Sequence, residues 1–169
     1  GALTATAVDA AGSTSDGVSL STTTGGVVAT SITAADTVSI TADAGDVTLG
    51  TVTATAGTLA ITASTGSIND GGDDATTDLT AGGLITLNAQ DEIGGNPSSN
   101  TTDLAGSIEF AACSTLDVSS SNAGNIVLAG LGAITLEDVD TVDGSITVTA
   151  TGALTATAVD AAGSTSDGV

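Results

Sequence analysis

The chain has 169 residues with 20 acidic side chains and no lysine, arginine or histidine, so its formal net charge is −20. This charge argues against partners such as nucleic acid and anionic membranes, and the chain lacks the side chains that most often act as general bases or bind phosphate. Apolar residues, almost all Val, Ile, Leu and Ala, still make up 40% of the chain, which is too many for a disordered acidic tail.

The first segment of the chain is also its last. Residues 1–18, GALTATAVDAAGSTSDGV, return unchanged as residues 152–169. Identity over 18 positions at a fixed offset of 151 indicates a tandem repeat. We therefore expect residues 1–151 to be one full repeat and residues 152–169 to be the start of the next, within a longer array.

Pairs of apolar residues that flank a single residue recur along the chain and predict short strands with alternating faces. The first members of these pairs lie 18 to 26 residues apart, and seven such spacings fill the 151-residue repeat. Turns rich in Gly, Asp, Asn and Ser separate the strands, and no segment has the pattern of a capped helix. The pairs are Val18/Leu20, Val38/Ile40, Leu59/Ile61, Ile85/Leu87, Ile108/Phe110, Ile126/Leu128 and Ile146/Val148.

Units of this length cannot bury an apolar face alone, but units stacked in parallel share one continuous core. The spacing therefore predicts an all-β fold, a parallel β-helix (β-solenoid) with about seven coils per repeat. The rule for parallel crossovers favours a right-handed coil. Neither end has the pattern of a cap, so we expect an uncapped segment that continues covalently or by head-to-tail stacking on copies of itself.

Two runs carry a family resemblance. The G-x-I-x-L run at Gly132–Leu136 and the ITVTATG run at Ile146–Gly152 are joined by V-x-T-x-x-G at Val139–Gly144. Together they resemble the repeats of filamentous-haemagglutinin-like and giant tandem-repeat bacterial surface proteins. The resemblance implies a secreted β-helical rod, extracellular and at the cell surface, that serves as an adhesin or a fibre.

We therefore expect a structural repeat of an acidic filament, stalk or surface fibre. The alternative is an adhesin module whose coils contact cells or glycans, with calcium as a cofactor. Self-association is the expected partnership, without nucleic acid and without membrane insertion. Catalysis is not expected, because strand alternation would point neighbouring acids such as Asp91 and Glu92 apart, whereas paired-carboxylate mechanisms need both in one cleft.

Two acidic clusters are candidate calcium sites because carboxylate oxygens are the ligands that this ion prefers. The denser cluster places four carboxylates within nine residues around a Gly pair, at Asp70, Asp73, Asp74 and Asp78. The second comprises Glu137, Asp138 and Asp140. For both clusters the other interpretation is a solvated turn with acidic side chains that point outward.

Overall fold

The computed structural model describes residues 1–72, 76–95, 106–112 and 114–163. Over these ranges the chain forms 17 strands and no helix, and all pairing between the strands is parallel. The strands stack as a β-solenoid of about seven turns, which confirms the predicted fold class. In the same ranges, no helical segment reaches the length and apolarity that crossing a membrane requires.

The chain passes alternately between two parallel sheets, and one visit to each sheet completes a turn. The first sheet contains β1 (Leu3–Ala5), β2 (Val8–Ala10), β4 (Val27–Ala34), β6 (Val47–Ala54), β8 (Ile68–Asp70), β9 (Leu79–Ala81), β11 (Ile108–Phe110), β13 (Ile126–Gly130) and β15 (Ile146–Ala150). The second contains β3 (Val18–Thr22), β5 (Val38–Ala42), β7 (Leu59–Ala63), β10 (Leu84–Ala89), β12 (Ser114–Ser120), β14 (Ile134–Thr141), β16 (Leu154–Ala156) and β17 (Val159–Ala161).

Equivalent positions of successive turns form apolar rows inside the coil. One row of the second sheet runs through Leu20, Ile40, Ile61, Leu87, Val118, Val139 and Val159. A row of the first sheet runs through Val27, Val47, Ile68, Ile93, Ile126 and Ile146. These rows belong to one continuous buried cluster, so each turn depends on its neighbours for its core.

Long and short strands exchange sheets partway along the solenoid. In the first turns the eight-residue strands β4 and β6 lie in the first sheet and the five-residue strands β5 and β7 in the second. Later the eight-residue strand β14 lies in the second sheet, and the five-residue strands β13 and β15 lie in the first. Each of the three long strands breaks its in–out alternation at its fourth and fifth residues, so it consists of two short segments.

The repeated string follows this exchange. Its first copy forms β1 and β2 in the first sheet, and its second copy forms β16 and β17 in the second sheet. From β1 to the start of β16 the chain makes seven visits to the first sheet and six to the second, in the order of the strands above. The two copies therefore lie six and a half turns apart, close to the predicted seven, and on opposite sides of the coil.

All seven predicted apolar pairs lie in strands, but one of their spacings is not a full turn. The first four pairs belong to the second sheet and the last three to the first. The 23 residues from Ile85 to Ile108 cover only half a turn, because Ile93 already occupies the first sheet between Ile68 and Ile126. Residues 96–105, which lie between Ile93 and Ile108, are outside the described part of the chain.

Candidate metal centre

Two of the predicted calcium ligands lie where one visit to the first sheet is interrupted. Asp70 is the last residue of β8, and Asp78 directly precedes β9. β8 and β9 both pair with β6, with Asp70 beside the fully buried Leu49 and Leu79 beside Val52. Residues 71–77 connect the two strands, so Asp70 and Asp78 lie at the two ends of this connection.

The next turn adds a residue that the sequence reasoning missed. Phe110 of β11 pairs with Leu79, which places Glu109 beside Asp78. The backbone amide of Asp78 donates to the carbonyl oxygen of Glu109 at 3.0 Å. The amide of Glu109 donates in return to Oδ2 of Asp78 at 2.9 Å. Two hydrogen bonds therefore hold these acidic residues side by side, although like charges on neighbouring strands repel.

Asp70, Asp78 and Glu109 form one cluster of carboxylates. Each contributes an oxygen, and these oxygens lie within 4.8 Å of one another. Glu109 is 0% exposed and Asp78 is 4% exposed, while Asp70 is partly buried. The structure thus brings together two of the four residues predicted for this site and adds Glu109; Asp73 and Asp74 lie outside the described residues.

The buried cluster is electrostatically strained. Oε1 of Glu109 accepts a hydrogen bond of 2.5 Å from the Ser107 hydroxyl. With Glu109 ionised, its Oε2 has no partner in the described structure, and neither has the buried Oδ2 of Asp70. Burial raises the pKa of Glu109 to about 8. The Ser107 hydrogen bond lowers this pKa, whereas a hydrogen bond to Asp78 and the charges of Asp78 and Asp70 raise it.

A groove of about 470 Å³ opens beside this cluster on the surface of the first sheet. Asp70, Asn69 and Glu92 are among the residues that line it. The lining supplies carboxylate, amide and hydroxyl oxygens, and the chain has no cationic side chain to compete for them. Asp70 is therefore reachable from solvent by water and small cations.

The second predicted cluster lies on β14 and is arranged differently. Glu137 and Asp138 are consecutive exposed residues at a bulge, where Leu136 pairs with Leu116 and Asp138 with Asp117. Asp140 accepts a hydrogen bond of 2.9 Å from the Ser119 hydroxyl. Within the described ranges these acids do not form a group of three converging ligands. A calcium site here stays a prediction, and the position fits the alternative of outward acidic side chains.

One sequence signal could have identified Glu109. It is the middle residue of Ile108/Phe110, one of the seven apolar pairs. The middle residues of the other pairs are Ser, Ala, Thr or Val, so Glu109 is the only charged residue among them. Its contact with Asp78 spans 31 residues of sequence, so the local density of acids could not reveal the cluster.

No family model, curated protein or solved structure matches this chain. The β-solenoid architecture is accordingly established by the strand pairing of the chain itself. The acidic cluster is defined by its distances and burial in the same way.

Proposed function

We propose that this chain is a structural repeat of a secreted, acidic β-solenoid that forms an extracellular filament, stalk or surface fibre. In such a protein the useful properties are length, stiffness and a polar surface. The repeated string carries the proposal, because its two copies use opposite strand edges.

In the first copy, Leu3–Ala10 pairs with β4 of the following turn. The amide of Leu3 donates to the carbonyl of Gly26 at 3.0 Å. In the second copy, the identical Leu154–Ala161 pairs with β14 of the preceding turn. The amide of Thr157 donates to the carbonyl of Leu136 at 2.9 Å. In an array the string would lie between β14 and β4, with both edges paired and no open edge exposed.

The dimensions suit a rod. At about 4.8 Å between neighbouring strands, six and a half turns advance the axis by roughly 31 Å per repeat. One repeat carries 18 acidic residues, so the rod has about one negative charge per 2 Å, comparable with duplex DNA. This charge density would keep neighbouring rods apart. Because one repeat ends half a turn out of phase, features of successive repeats would alternate between the two sides.

The resemblance of the G-x-I-x-L and ITVTATG runs to bacterial surface repeats supports a secreted location at the cell surface. In that setting the rod would act as a spacer or fibre body. The alternative is an adhesin whose coils bind cells or glycans themselves. Incubating repeat-only chains with cells separates the two, since binding by these chains would favour the adhesive function.

Hydrogen exchange tests the continuity of the coil at single amides. In the 169-residue chain the amide of Leu154 should exchange fast, because its partner, the equivalent of Gly26, belongs to a turn that would follow. In a chain of two complete repeats the same amide should become protected, while that of Thr157 should be protected in both. Equal exchange at Leu154 in the two chains would contradict the proposal.

A further inference from the structure

We propose that Asp70, Asp78 and Glu109 bind one calcium ion that links two successive turns of the solenoid. This site goes beyond the structural role proposed above, and it rests on observations independent of the repeat. It would place a cation between the interrupted β8–β9 layer and β11 of the next turn.

The geometry of the three carboxylates fits one shared ion. Calcium binds six to eight oxygens at about 2.3–2.6 Å, so oxygens on opposite sides of the ion are roughly 5 Å apart. The oxygens of Asp70, Asp78 and Glu109 lie within 4.8 Å of one another. Backbone carbonyls and water from the adjoining groove would complete the coordination shell.

An independent indication of a ligand is the set of unsatisfied oxygens. Oε2 of the fully buried Glu109 and the buried Oδ2 of Asp70 have no hydrogen-bond partner in the described residues. Buried polar groups in folded proteins are almost always paired, and an unpaired buried carboxylate oxygen is costly. An ion between these oxygens would satisfy both of them.

The composition of the chain makes this argument stronger. In most proteins a buried carboxylate pairs with Lys, Arg or His, and this chain contains none of them. Only a proton or a cation from solvent can neutralise the cluster. An all-oxygen set of three carboxylates suits a hard cation, and calcium tolerates irregular geometry better than magnesium, which requires a near-ideal octahedron.

Calcium titration of the chelator-treated chain by isothermal calorimetry tests the site. The buffer should contain 1 M KCl, where the screening length is about 3 Å, so that diffuse binding to the net charge of −20 is suppressed. We expect one saturable calcium site per chain and a higher melting temperature with calcium. Absence of saturable binding would overturn the proposal, as would equal affinity for magnesium.

Variants locate the site. Glu109→Gln keeps the shape of the side chain and removes its charge, and it should weaken calcium binding at least tenfold, or about 1.4 kcal/mol. Glu137→Gln is the matched control, because it makes the same change at an exposed residue and should leave the affinity unchanged. Asp70→Asn is a second test that does not depend on the folding of the Glu109 variant. Unchanged affinity in Asp70→Asn, with folding verified by circular dichroism, would assign the ion to another place and overturn the proposal.

Discussion

Truncation of Ile61 to alanine should strongly destabilise the solenoid. Ile61 is 0% exposed and lies between Ile40 and Leu87 in its row. The change removes three buried carbons, at about 0.8 kcal/mol each, and leaves a cavity that the neighbouring turns cannot fill because ladder hydrogen bonds fix their spacing. We expect a loss of about 3–4 kcal/mol in the free energy of unfolding, within the range typical of such truncations.

The assay is urea unfolding followed by far-ultraviolet circular dichroism, since the chain has no Trp or Tyr. Leu20→Ala is the matched control, because Leu20 occupies the same row at its terminal, half-buried position and should lose only about 1 kcal/mol, given its partial burial. Thr62→Ala, on the outer face of the same strand as Ile61, should change the stability by less than about 1 kcal/mol. Similar losses for Ile61→Ala and Leu20→Ala would refute the stacked core.

Three further predictions concern charge, close packing and cleavage. Without calcium, the free energy of unfolding should fall between pH 4.5 and about 8, because folded Glu109 keeps its proton up to about 8 while the unfolded residue releases it near 4.5. The slope, measured by urea unfolding, should reach about 1.4 kcal/mol per pH unit at most; a slope that Glu109→Gln leaves intact would contradict this origin. Gly50→Ala should cost about 1–3 kcal/mol because its Cβ would lie 2.4 Å from the carbonyl oxygen of Thr30 in the preceding turn. Gly12→Ala, whose Cβ would meet only Asp16 Oδ2 at 3.5 Å, should be nearly neutral in thermal melts, and equal melting temperatures for both variants would refute the contact. Trypsin should leave even the urea-unfolded chain uncut on a denaturing gel, because there is no Lys or Arg; any tryptic fragment would contradict this.

The short strands and their parallel stacking could be predicted because each turn repeats a local pattern. Alternation around pairs such as Val38/Ile40 marks a strand within five residues, and the spacing of the pairs sets the length of a turn. The exchange of long and short strands between sheets could not be read in this way. A half-turn of 23 residues between Ile85 and Ile108 has the same length in sequence as a full turn elsewhere, and only pairing across turns distinguishes the two.

The acidic site could be predicted in part for the same physical reason. Asp70 and Asp78 lie at the ends of one short connection, so local density of acids brought them to attention. Glu109 reaches them from the next turn, through pairing of Phe110 with Leu79. Its burial arises from tertiary packing, which contradicts the usual rule that a charged residue between two inward apolar residues of a strand faces solvent.

The length of a multi-repeat chain tests the central claim most directly. Electron microscopy of chains with two and four complete repeats should show rods of uniform width whose length grows by roughly 31 Å per repeat, since strands stack at about 4.8 Å. Rounded particles, or a length that does not increase in proportion to the number of repeats, would contradict the proposal that this chain is a unit of a continuous β-solenoid.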